Sequence, residues 1–122
     1  MEEIPSGIKH LIERIWEEPL HTRLLSEKID LAGYKGLGDI PDRYIPIEEV
    51  FPENELNAIW NRFKPYLHTY KVFPFLGTLG EAVIGIGYGR QNSGRLYYFD
   101  FDFGCFPLDD NLDHFIAGLI ES

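Results

Sequence analysis

The sequence predicts an α+β domain in which helices pack against a mostly antiparallel sheet, and three observations carry that expectation. Apolar residues recur at helical spacing near the start, the middle and the end of the chain. Between residues 70 and 103 the period falls to two, and aromatic and branched side chains dominate. The 122 residues, 44% hydrophobic and 15% aromatic, suffice for one core and argue against a second domain, so residues 1–122 are expected to fold as one unit.

The first stripe is Ile8, Leu11, Ile12, Ile15 and Trp16, all on one face of a helix expected over 7–18. Ser6 is placed to cap it, because a serine oxygen can accept from a backbone N–H that the first turn leaves unpaired, and Pro19 cannot continue the ladder. Leu20, Leu24, Leu25 and Ile29 suggest a second short helix over 20–29. Glycines at 33, 36 and 38 and prolines at 41, 46 and 52 then break the chain into turns and short extended pieces. Pro52 pre-sets the first turn of a helix over 53–64, carried by Leu56, Ile59, Trp60 and Phe63 and stopped by Pro65, with acids at 53 and 55 at the positive end of its dipole.

Three strands follow, over 70–75, 82–88 and 96–103, the last two joined by a hairpin loop at 89–94. Along the third, Tyr97, Phe99, Phe101 and Phe103 alternate with Leu96, Tyr98, Asp100 and Asp102, which makes the first set core and the second solvent-facing. Leu112, Phe115, Ile116, Leu119 and Ile120 form a closing helix over 110–120, capped by Asp109, Asp110 or Asn111 and expected to lie across the aromatic face of the sheet.

Twenty acidic and eleven basic residues give a formal charge of −9, which argues against a basic nucleic-acid grip. The distribution is uneven. Residues 62–95 set five bases against Glu81 alone, whereas residues 96–122 hold six acids and no Lys or Arg, a surface suited to a basic protein partner. Met1-Glu2-Glu3 is acidic where a secretory leader is basic, and no apolar run approaches the roughly 20 residues of a membrane span. Cys105 is the only cysteine and no Asn-X-Ser/Thr acceptor occurs, so a cytoplasmic location is expected.

The chemical motifs fail on inspection. Gly89 and Gly94 have the separation of a phosphate loop, but Arg95-Leu96 stands where lysine and a hydroxyl residue are required. Gly85-Ile86-Gly87-Tyr88-Gly89 is one residue short of a dinucleotide fingerprint and lies inside a strand, where glycines are expected to make room for aromatic rings on the neighbouring strand. Asp100 and Asp102 could hold a divalent metal or divide acid and base roles, yet Gly104 and Cys105 stand where a calcium loop needs an oxygen ligand and a glycine. Solvation of an exposed strand face explains the pair. His10, His21, His68 and His114 lack metal-ligand spacing. Cys105 reads as a small buried hydrophobe, without the local signature of a nucleophile served by His68 or His114, and Trp16, Trp60 and the phenylalanines read as core. No catalytic residue, metal or cofactor is expected.

The order of elements nevertheless resembles a known superfamily. Phe73-Pro74-Phe75-Leu76-Gly77, Val83-Ile84-Gly85-Ile86, Gly94-Arg95-Leu96-Tyr97-Tyr98-Phe99-Asp100, Phe106-Pro107-Leu108 and Leu112-Asp113-His114-Phe115-Ile116-Ala117-Gly118-Leu119 together resemble the SUKH superfamily. In that family a strand ending in phenylalanine and a small turn is followed by a strand, a glycine-led aromatic strand with an acid, and a closing Phe-Ile-X-X-Leu helix. The family's N-terminal pattern is matched only in the Pro-X-X-Tyr spacing of Pro41 and Tyr44, with Leu37-Gly38 at shorter range than usual.

The resemblance implies a single SUKH-like α+β domain acting as an intracellular immunity protein, which binds and neutralises a polymorphic toxin, often a nuclease or another nucleic-acid-modifying enzyme. Eukaryotic relatives imply the alternative of a non-catalytic regulatory or scaffold module. The expected partner is a basic toxin, with neither nucleic acid nor membrane bound directly. The acids of the C-terminal segment then nominate Tyr98, Asp100, Asp102, Asp109, Asp110 and Asp113 as contacts.

Overall fold

The computed structural model describes residues 4–37, 40–78 and 80–121, except for the side chain of Lys35. Gly38, part of the Leu37-Gly38 pair, lies outside the described residues, as does the Met1-Glu2-Glu3 segment. Helix α1 (Lys9–Ile15) and helix α2 (Leu20–Leu25) precede strand β1 (Glu27–Asp30) and strand β2 (Tyr44–Val50). Helix α3 (Leu56–Leu67) leads into β3 (Val72–Thr78), β4 (Val83–Gly87), β5 (Leu96–Asp100) and β6 (Gly104–Pro107), and α4 (Leu112–Ala117) and β7 (Ile120–Glu121) close the chain. The strands form one sheet in the order β6-β5-β4-β3-β2-β1-β7, antiparallel at every pairing. This is the α+β architecture that the change of period predicts.

Helix α1 is shorter than 7–18. Ser6 is not its cap: Ile8 occupies that position without a side-chain bond, and its N–H already donates to the Pro5 carbonyl in a preceding turn. At the far end Trp16 leaves the helix, and its indole Nε1 donates to the Phe51 carbonyl at 2.8 Å. The expected helix over 20–29 stops at Leu25, where the Ser26 hydroxyl turns back to the Arg23 carbonyl. Ile29 is buried on a strand instead, because period-two burial of Glu27 and Ile29 replaces the helical stripe.

Helix α3 begins after a 3-10 turn at Glu53–Glu55 and runs through Pro65 to Leu67, beyond the expected stop. Pro65 deletes one intrahelical bond at a cost of about 3 kcal/mol. Full burial of Leu67, worth about 1.5–3 kcal/mol, is of the same size and holds the last turn in place. Trp60 tilts against Phe73 at 5.1 Å between ring centroids, and Phe63 meets Phe99 edge-on at 6.2 Å. Helix α3 therefore packs over the aromatic strand.

Strands β3 and β4 are buried along their whole length, so both faces of the sheet centre are covered. The same cover reaches β5, and the expected division of 96–103 into a core face and a wet face fails. Leu96, Tyr98 and Phe99 are all buried, with Tyr98 only 4% exposed. The strand also ends three residues early, at Asp100. Residues 101–103 form a turn into β6, and Phe101 and Phe103, expected in the core, are 42% and 41% exposed.

The glycines have a different role from the one expected. A Cβ on Gly85 would lie 2.4 Å from Val72 Cγ1, and one on Gly87 2.1 Å from the Asn92 carbonyl oxygen, so they admit a valine and the folded-back hairpin loop, not aromatic rings. The closing helix spans only 112–117. Asn111 caps it by accepting from the His114 N–H at 2.8 Å, one of the three caps expected, and the chain then adds β7 beside β1.

Candidate partner-binding surface

The β5–β6 turn is built by one carboxylate. Asp100 Oδ1 accepts from the backbone N–H of Asp102 at 2.7 Å and of Phe103 at 3.3 Å. Gly104, at φ +102°, then supplies a left-handed conformation that glycine adopts without the penalty of a Cβ. Asp100 Oδ2 accepts from the Tyr98 hydroxyl at 3.1 Å. Burial first, and the Asp100 charge second, push the Tyr98 phenol well above its ordinary pKa, so the hydroxyl stays a donor at neutral pH.

This turn lifts Phe101 and Phe103 out of the sheet. Phe101 stacks on Phe63 at 5.6 Å, meets Phe99 edge-on at 5.1 Å and Tyr66 edge-on at 4.8 Å. Tyr66, on the last turns of α3, is 50% exposed. The rings thus continue the core outward into a solvent-facing aromatic knuckle rimmed by Asp100 and Asp102. Exposed aromatic clusters with a polar rim are the usual make-up of protein-binding hot spots, because rigid rings bury large areas at small entropic cost.

The nominated residues fall into two groups. Tyr98, Asp100 and Asp102 belong to the knuckle, although Tyr98 lies beneath its surface and acts on Asp100. Asp109, Asp110 and Asp113 lie before and within α4. Asp109 is half-buried and accepts from the Tyr34 hydroxyl at 2.6 Å, while its carbonyl accepts from the Leu96 N–H at 2.8 Å. Burial, then Asp109, raises the Tyr34 pKa far above its ordinary value. Asp113 pairs with Arg14, and Asp110 is exposed. The exposure of Phe101 and Phe103 escapes a reading by alternation, as does that of Tyr66 on α3. The signal that could have found the two phenylalanines is Asp100 followed four residues later by Gly104, a turn pattern set inside an aromatic run.

Cys105 is half-buried, and burial pushes its thiol up to about 11, so it is protonated and weakly nucleophilic near neutral pH. Among the described residues no three His, Cys, Asp or Glu side chains gather as a metal site, and no helix is long and apolar enough to cross a membrane.

A seven-stranded antiparallel sheet backed by helices, with exposed aromatic rings and carboxylates at the β5–β6 turn, defines the chain as a small α+β domain. The model of the RhsPI family, the Rhs-associated immunity proteins, matches residues 23–120, from within α2 to the first residue of β7, and the chain belongs to that family. The match agrees with the immunity-protein class inferred from the sequence but names RhsPI and not SUKH. No curated protein matches the chain.

Proposed function

We propose that this chain is a non-catalytic immunity protein that binds and neutralises a cognate Rhs toxin in the cytoplasm, through the β5–β6 knuckle. The observation that carries the reading is the exposed contact of Tyr66 with Phe101, in a turn that also exposes Phe103 and carries the carboxylates of Asp100 and Asp102. Family membership supplies the class of partner. Asp102, Asp110 and the other acids of the segment favour encounter with a basic toxin, one that acts on nucleic acid, and a SUKH-like ancestry of the C-terminal half belongs to the same reading. Asp109 and Asp113 contribute charge at the margin, and Tyr98 serves as the support of Asp100.

The test is co-expression of the chain with an Rhs toxin domain sought among the genes adjacent to its own, followed by titration of the purified pair. Growth rescue together with a stoichiometric complex supports the reading. Growth arrest despite abundant folded chain, or capture of regulatory proteins without any toxin, would sink it.

A further inference from the structure

The other end of β5 carries a surface of opposite character. Lys71 closes the 3-10 turn His68–Tyr70 in a left-handed conformation, φ 56° and ψ 49°, which is uncommon outside glycine. The β4–β5 loop folds back on it and is fastened by one side chain. Asn92 Oδ1 accepts from the Gly89 N–H at 2.8 Å, and its Nδ2 donates to the carbonyls of Tyr70 at 3.0 Å and Lys71 at 3.2 Å. Gly87 permits this approach, since any Cβ there would collide with Asn92.

The result is an open hollow of about 550 Å³ lined by Tyr70, Lys71, Arg90, Gln91, Asn92 and Tyr97. No carboxylate lines it, and among the described residues neither Lys71 nor Arg90 has an acidic partner. In a chain of formal charge −9 this is a local positive site with two tyrosines, held in shape before any partner arrives.

We propose that the hollow takes a carboxylate-bearing segment of the toxin, an inference that rests on the toxin-binding reading above. Two cations answer one or two carboxylates, whereas tracking a nucleic-acid strand requires a row of them, and the net negative charge opposes a polyanion. Tyr97 lines the hollow and Asp100 rims the knuckle, three residues or about 10 Å apart along β5. Both therefore fit under one interface of ordinary size, roughly 800 Å² per partner. A negative and a positive patch at that separation fix the orientation of a partner bearing the reverse pattern, because the swapped pose sets like charges together.

The test compares the full chain with K71E/R90E in two titrations at low salt, one against a cognate Rhs toxin domain and one against a fluorescein-labelled hexaglutamate peptide. A six-nucleotide DNA strand serves as the competing probe. The inference expects salt-sensitive peptide binding that the double variant abolishes, and toxin affinity reduced about tenfold or more with an unchanged melt. If the reversal unfolds the chain, K71Q/R90Q carries the same comparison. Toxin binding unchanged by the substitutions overturns the inference while leaving the toxin-binding reading intact, and tighter binding of DNA than of peptide also overturns it. If the unsubstituted chain binds no toxin, the toxin-binding reading fails, and the inference falls with it whatever the peptide does.

Discussion

Arg14 on α1 donates from Nη2 to Asp113 Oδ1 on α4 at 2.8 Å, joining helices 99 residues apart in the chain. The C-terminal segment has six acids and no Lys or Arg of its own, yet the fold brings it a cation from the first helix. Both side chains are exposed, 43% and 75%, so water and salt screen the pair. R14A and D113A should each change stability by less than about 1 kcal/mol in urea unfolding, with a coupling energy of about 0.5 kcal/mol in the double-mutant cycle. A coupling several times larger would mark the pair as an anchor of α1.

The Tyr34–Asp109 bond is a different case, being shorter and half-buried. Y34F leaves the Asp109 carboxylate without that donor and should cost about 1.5 kcal/mol, the lower end for a hydrogen bond to a charged group. Urea denaturation measures the loss, and toxin affinity should be unaffected because the bond lies within the domain.

Gly87 tests the folded-back hairpin. G87A places a methyl 2.1 Å from the Asn92 carbonyl oxygen, a backbone atom that cannot swing aside. The loop must shift, and the melt should show a loss of about 3 kcal/mol, near the upper range for overpacking. G36A, where nothing lies within 4 Å of the added Cβ, is the control and should be nearly silent.

Cys105 supplies a pH dependence. Its thiol rises from 9.0 to about 11 because burial disfavours the thiolate. A raised acid pKa contributes stability that is complete below about pH 9 and is lost as pH climbs from 9 to 11. At pH 8 the folded chain should react with iodoacetamide on the order of a hundredfold more slowly than the urea-unfolded chain, since two pKa units separate their thiolate fractions. Equal rates would show an accessible, ionisable thiol.

Much of this fold was legible where one physical cause dominated. The α3 stripe and the β3 and β4 segments followed from periodicity, and Asn111 was among the caps expected. The misreadings share one cause, which is tertiary context overriding local pattern. Ile29 satisfies a helical stripe but is buried by strand pairing, and Pro65 predicts a stop although Leu67 has a site to fill beyond it. Tyr98 looked solvent-facing because alternation assumes one wet face, which a doubly covered sheet does not have. Of the candidate surface, Asp100 and Asp102 were visible as acids. The exposure of Phe101 and Phe103 depends on a turn made by Asp100, and an aromatic run conceals it.

The β5–β6 knuckle is tested by calorimetric titration of a cognate Rhs toxin domain with the chain, with F101A and with D102K. Asp102 is exposed and its side chain does not build the turn, so D102K reverses charge without disturbing Asp100. F101A should weaken binding by about 2 kcal/mol while remaining folded with a lowered melt, since it loses its contacts with Phe63, Phe99 and Tyr66, and D102K should slow association about tenfold at low salt and much less at high salt with an unchanged melt. Binding of all three proteins with the same affinity and salt dependence would contradict the central claim that the β5–β6 knuckle is the toxin-binding surface.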